Sequence, residues 1–174
     1  TQLRAHAINN MGYISMNSGE VNLAKAHYKK SLQLFRKLKD VKGEATGLNN
    51  LGYIYQHTGD IDKAFMYYNK CLDARERIGD NTGIAQSLNN IGFIYDDLGE
   101  VEKALNYYHE SLSIQEKIKD KDGIATSLNN IGSMYGDQGD LNKSLEYYNR
   151  GLEMRISMGN KKHIANSYNN IGSV

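Results

Sequence analysis

In residues 83–122 the apolar and small positions fall into two stripes. Ile84, Ala85, Leu88, Ile91, Gly92 and Tyr95 recur at three- and four-residue spacing, which marks one buried helical face. After Leu98-Gly99-Glu100 comes a second stripe of Val101, Ala104, Leu105, Tyr108, Ser111, Leu112 and Ile118. The two stripes predict a helix A over about 82–97 and a helix B over about 100–118. Both recur at one forty-residue step: Asn9-Asn10, Asn49-Asn50, Asn89-Asn90, Asn129-Asn130 and Asn169-Asn170, and likewise Gly12, Gly52, Gly92, Gly132 and Gly172. A fixed period of about 20–50 residues means that one supersecondary unit has been stacked into a solenoid, propeller or array.

The frame gives helix pairs at 3–42, 43–82, 83–122 and 123–162, with 163–174 starting a fifth helix A, all within one domain of residues 1–174. Glu20, Asp60, Glu100 and Asp140 stand where each helix B begins; Asp40, Asp80, Asp120 and Asn160 precede each helix A. Such side chains accept from orphan amides, and the acidic ones meet the positive end of the helix dipole. The chain has no proline, so glycines such as Gly19, Gly59, Gly99 and Gly139 must make the turns. A glycine inside a helix costs about 1 kcal/mol relative to alanine. Repeating that cost at Gly12, Gly52, Gly92 and Gly132 implies close backbone approach, with Ala24, Ala64, Ala104 and Ser144 as expected partners. Tyr28, Tyr68, Tyr108 and Tyr148 are expected to fill the space toward the next unit. Ser15 replaces the helix A tyrosine in the first unit and Ser133, Gly136 and Ser144 weaken the fourth, so the ends are expected to pack less tightly.

The order of small and large residues resembles the tetratricopeptide repeat. In the third unit that resemblance rests on Leu88, Ile91-Gly92, Tyr95, Gly99, Ala104, Tyr108 and Ser111; in the second, on Leu48, Leu51-Gly52, Tyr55, Gly59, Ala64, Tyr68 and Cys71. The chain departs from the family in lacking the proline after helix B and in carrying about six extra residues per unit. The longer unit is similar to repeats of kinesin light chain, of Leu-Gly-Asn spindle-orientation scaffolds and of bacterial peptide-sensing regulators. The resemblance implies an all-α, right-handed superhelical solenoid with helix A on the concave face.

Charge and composition narrow the functions. Net charge is +1, which gives no case for nucleic acid or an anionic membrane as partner. No apolar run has the length of a membrane span and no stretch reads as a signal peptide. The single cysteine, Cys71, excludes an internal disulfide and fits a small packed position, so a cytoplasmic setting is the default expectation. His6, His27, His57, His109 and His163 occupy five different places in the repeat, without the spacing of a helical metal site. No phosphate-binding loop or facing carboxylate pair is present either. The expectation is a non-enzyme without cofactor or metal.

Binding is better supported. At about 100° per residue, Asn89, Phe93 and Asp96 form a ridge apart from the Leu88–Ile91–Tyr95 stripe. Asn9 and Tyr13, then Asn49, Tyr53 and Gln56, then Asn129 and Ser133, continue it, flanked by His6, Thr46, Gln86 and Thr126. Asparagine offers both donor and acceptor, so a ladder of them suits the backbone of an extended peptide. The aromatic rings offer pockets, or a platform for a helix. The first asparagine of each pair is the ligand candidate, and the second is assigned a structural bond. Both roles are open to a structural reading, as is packing of the aromatics on the neighbouring unit. No lysine or arginine occupies the ridge, which argues against a terminal carboxylate as ligand. Asp96, Asp97 and Asp137 instead make one end acidic, suited to a basic or polar segment. Residues 3–42 carry eight basic and two acidic side chains and residues 83–122 four and eight, so the first unit is basic and the third acidic.

The expected function is a protein-interaction module for a peptide or partner helix, the sensing or scaffolding segment of a longer, bacterial signalling protein. The alternative is a structural spacer or a self-association surface, the latter through Ile164, Ala165, Tyr168 and Ile171 of the terminal helix. A concentration series by analytical ultracentrifugation separates the two: self-association shifts sedimentation with concentration, whereas a dedicated interaction module stays monomeric throughout.

Overall fold

The chain folds, in a computed structural model describing residues 1–174, into nine α-helices and no strand. These are α1 (Gln2–Asn17), α2 (Val21–Lys37), α3 (Val41–His57), α4 (Ile61–Glu76), α5 (Asn81–Asp97), α6 (Val101–Ile118), α7 (Lys121–Asp137), α8 (Leu141–Met158) and α9 (Lys161–Gly172). Odd-numbered helices are the helix A elements and even-numbered ones helix B. The expected boundaries in the third unit hold to within one residue at each end. Two compact units result, Thr1–Asp80 with α1–α4 and Asn81–Val174 with α5–α9. Within each unit, every helix packs on the next in sequence.

Five of the expected caps form. Asp40, Asp60, Asp120, Asp140 and Asn160 accept from the amides of Gly43, Lys63, Gly123, Lys143 and His163, each three residues on. Each such cap contributes about 1 kcal/mol. Glu20 and Glu100 do not cap with their side chains. One more methylene carries the carboxylate past the amides, and that of Glu100 pairs with Lys103 at 2.7 Å instead. Gly19, Gly59, Gly99 and Gly139 make the A-to-B turns with φ of +71° to +79°. The B-to-A joints are also left-handed, at Lys39, Gly79, Lys119 and Gly159. Two of these are lysines, which pay about 1–2 kcal/mol for that conformation, and nothing in their sequence context announces it.

The core of the first unit gathers Ala24, Tyr28, Leu32, Ala45, Leu48, Leu51, Ile54, Cys71 and Ala74. That of the second gathers Ala104, Tyr108, Leu112, Leu128, Ile131 and Met134. The stripes foresaw most of these but not Ala74 on helix B, nor Ile54 and Met134, which lie on a second buried side of helix A. Helix α3 packs on both α4 and α2, and α7 on both α8 and α6, so these helices bury two sides. Ile14, at the same register in α1, packs on α2 alone among the described helices and is 64% exposed.

The repeated interior glycines have a different partner from the one expected. A Cβ on Gly12, Gly52, Gly92 or Gly132 would stand 2.6–2.9 Å from ring carbons of Tyr28, Tyr68, Tyr108 or Tyr148. It is therefore the helix B tyrosine, sixteen residues on, that lies against the glycine, and the small residues Ala24, Ala64, Ala104 and Ser144 are not the contact. The ring lies against the glycine of its own pair, and Tyr28 and Tyr108 also share a core with the next helix A, as expected. Each of these four tyrosines is buried.

A second aromatic layer closes the far end of each pair. Tyr55 stacks on Tyr67, Tyr95 on Tyr107 and Tyr135 on Tyr147, at centroid distances of 5.3–5.5 Å. Lys63, Lys103 and Lys143 place their ammonium groups over Tyr55, Tyr95 and Tyr135. In the first pair both members change together: Ser15 faces His27 at 3.4 Å. The weak spot expected there is thus a smaller polar contact, and Lys25 reaches over to the ring of Tyr55.

Gly52→Ala is expected to lower stability by about 1–2 kcal/mol, overpacking against Tyr68 outweighing the gain in helix propensity. Gly172→Ala, at the same register but with nothing within 4 Å of the added methyl, is expected to be neutral or slightly stabilising. Urea unfolding of the two variants measures the contrast; equal effects would remove the glycine–tyrosine contact as its cause.

Candidate functional site

The helix A ridges carry the residues singled out from the sequence. In the first unit, Tyr13 is 63% and Tyr53 49% exposed; in the second, Phe93 is 47% exposed. These rings face solvent and are not consumed by packing. Tyr53 meets His57 edge-on at 5.6 Å. Ser133 is half-buried. Of the flanking residues, Thr46 and Thr126 donate back to the carbonyls of Lys42 and Asp122 in their own helices. His6 lies edge-on to Phe35 and 3.8 Å from a carboxylate oxygen of Asp40.

The asparagine pairs do not divide as expected. Asn50 donates to the carbonyl oxygen of Asn9 at 3.1 Å, Asn130 to that of Asn89 at 3.5 Å, and Asn170 to that of Asn129 at 2.6 Å. One neutral hydrogen bond thus joins successive A helices, with the first asparagine as acceptor and the second as donor. Asn89 makes further bonds. Its amide donates to Ser111 and Ser127 at 2.8 and 2.9 Å, and its carbonyl also accepts from Ser127. Ser127 in turn reaches the buried Gln115 at 2.7 Å, and Ser111 donates to the carbonyl of Ala85. The first asparagine is at least as structural as the second. Asn50 and Asn130 each give one N–H to this bond and are half-buried.

A further group belongs to the ridge that the spacing did not place there. The buried helix B tyrosines reach between the A helices with their hydroxyls. Tyr68 donates to Gln56 at 3.0 Å. Burial first, then Tyr53 and Cys71, pushes the Tyr68 phenol well above its ordinary range. Tyr28 is raised in the same way, by burial and then by Tyr13 and Tyr53. In the second unit the corresponding neighbour of Tyr108 is Asp96, a carboxylate where the first unit has an amide. The signal was present in the recurring twelve-residue step from ridge to tyrosine, but helical periodicity within one element cannot reveal a contact between two.

Asp96 is a ridge carboxylate with disturbed acidity. Burial, then repulsion from Asp137 and from Asp97, raises its pKa, while the nearby Tyr108 hydroxyl opposes the shift. Asp96 and Asp137 occupy the last turns of α5 and α7, where the dipole disfavours negative charge. No group of three His, Cys, Asp or Glu side chains could hold a metal ion. No helix is long and apolar enough to cross a membrane.

Stacked helix pairs with a recurrent exposed ridge define a helical repeat protein of the solenoid class. The tetratricopeptide repeat model matches residues 3–77, 43–117 and 83–157 in overlapping copies, and the chain belongs to that family. No curated protein matches it in sequence. Solved structures share the fold. BtubC (BKLC) from P. vanneervenii superposes with a TM-score of 0.85 at 21% identity, over 99% of this chain and 72% of that one. A Rap protein complexed with competence and sporulation factor gives 0.87 at 14% identity, over 95% and 46%. A signal transduction ATPase (STAND) with a tetratricopeptide repeat sensor, from Pyrococcus horikoshii, gives 0.84 at 18%, over 98% and 26%. The chain therefore spans less than half of the last two.

Asp96→Asn is expected to stabilise the protein at neutral pH. A carboxyl whose folded pKa is raised penalises the fold above that pKa, and the penalty is relieved as pH falls through it. The gain in thermal midpoint over the parent should be present at about pH 7 and vanish toward about pH 3, below the ordinary aspartate range. A variant less stable than the parent at both values would contradict this electrostatic account.

Proposed function

We propose that this chain is a protein-interaction module whose helix A ridges take a peptide or partner helix. The observation that carries the reading is the exposure of Tyr13, Tyr53 and Phe93 at one register of three A helices, beside the asparagine bonds of those helices. Large rings held out of the core supply contact area at little conformational cost. The amides of Asn50 and Asn130 supply backbone-directed hydrogen bonds that do not select side chains. Asn9 and Asn89 orient those amides, and Asn49 and Gln56 in the first unit, with Asp96, Asn129 and Ser133 in the second, complete the ridge of each. Family membership supports a scaffold over an enzyme. Two of the similar folds are themselves described with a bound factor or as a sensor, which favours a sensing segment within a signalling protein. The self-association reading retains one observation in its favour, the exposed Tyr168 on α9.

The test starts from a random peptide library displayed on phage, selected against the folded chain, followed by affinity measurement of a selected synthetic peptide. Tyr53→Ala and Asn50→Ala are expected to weaken that peptide at least about tenfold and about threefold, respectively, the size of one hot-spot aromatic and one neutral hydrogen bond. Circular dichroism should be unchanged for Tyr53→Ala, whose ring is exposed; for Asn50→Ala, half-buried and bonded to Asn9, unchanged helicity is the control that accompanies the affinity. Selection of no peptide, or full affinity in both variants, would sink the ridge as the binding surface.

A further inference from the structure

The ridge of the second unit differs chemically from that of the first. At the register of Met16 and Asn17 in α1, and of Gln56 and His57 in α3, α5 carries Asp96 and Asp97 and α7 carries Gly136 and Asp137. Asp96 and Asp137 come from neighbouring A helices and are close enough to repel. Neither takes part in an ion pair. Left to itself, this arrangement is unfavourable, since like charges sit together at two negative helix ends.

Behind the carboxylates lies an independent sign of a missing ligand. Tyr108 is fully buried, yet its hydroxyl completes no hydrogen bond of normal geometry. It is aimed at Asp96, where it can hold one carboxylate oxygen and leave the other to a guest. The buried hydroxyl of Ser144 is also without a partner, 3.2 Å from where a Cβ on Gly136 would stand. In front, Phe93 lies one turn before Asp96 on the same face, exposed. Carboxylates beside an aromatic face are the recognition chemistry of an organic cation. A hard metal ion would need more oxygen ligands, and no such group exists here.

We infer that Asp96, Asp137, Phe93 and the Tyr108 hydroxyl form a subsite for the guanidinium or ammonium group of a basic side chain in the bound peptide. This rests on the ridge being the binding surface and adds that the second unit selects a positive residue. Occupation removes the repulsion between the carboxylates, so the cation is bound by charge and the ring together.

The test is an NMR titration of the folded chain with three acetylated, amidated pentapeptides, Gly-Ser-X-Ser-Gly, in which X is arginine, lysine or the neutral isostere citrulline. Arginine and lysine peptides are expected to shift the amides around Phe93, Asp96 and Asp137, with apparent affinity at least about tenfold above citrulline, the value of about 1.4 kcal/mol. Added salt should weaken them. Asp96→Asn and Asp137→Asn should each remove the preference while leaving the fold intact, and Tyr108→Phe should reduce it with the ring retained. If citrulline shifts the same amides equally, the charge subsite is wrong and the ridge as a peptide surface survives. If no peptide shifts any ridge amide, the subsite fails, and the library selection decides the ridge separately. A preference unchanged in both aspartate variants would also overturn the assignment.

Discussion

The fold depends on a missing atom. At four successive steps, helix A has no Cβ where helix B presents a tyrosine ring, and this lets the two helices of a pair close on each other. Glycine in a helix is locally unfavourable, so the pair is held by a contact that only tertiary packing can reward. A ring placed against a glycine buries a large apolar area with a single side chain. The same ring is long enough to bring its hydroxyl behind the ridge, where that of Tyr68 meets Gln56. Packing and surface chemistry are therefore set by one residue, and Tyr28, Tyr68 and Tyr108 belong to both.

Within each unit, register between pairs rests on a second device. The asparagine of one helix A bonds the asparagine of the next, and in the second unit Asn89 extends this into a buried set with Ser111, Ser127 and Gln115. Such a network is stabilising only when its members are satisfied, and here they largely satisfy one another. In the first unit Cys71 takes the place of Ser111 and still donates, more weakly, to the carbonyl of Ala45 at 3.2 Å. The repeat thus tolerates exchange of a hydroxyl for a thiol, because the bond to the backbone is kept.

Much of this was legible from residue order. The forty-residue step placed the helices to within a residue, and the stripes named most of the core. What escaped was anything that depends on two elements meeting. Ala24 and its equivalents were plausible neighbours for the glycines on size alone, but it is the tyrosine ring that occupies the space a Cβ would take. Ile54 escaped because a single amphipathic stripe describes a helix with one buried side, and α3 has two. For the site, the exposed aromatics were found where helical geometry put them. The division of labour within each asparagine pair was not, because both members are chemically identical and only the neighbouring helix distinguishes them. Glu20 and Glu100 were equally indistinguishable from caps until one methylene mattered.

The asparagine bonds between A helices carry no charge. Their strength changes little with ionic medium or with acidity over the range in which carboxylates and imidazoles titrate. The frame of each unit is thereby insulated from the solution conditions to which its surface responds. A protein built this way can let the binding of a charged partner follow salt and pH closely while the spacing of its helices stays constant. The ridge works like a ruler with fixed divisions, on which only the charged marks fade as the medium changes.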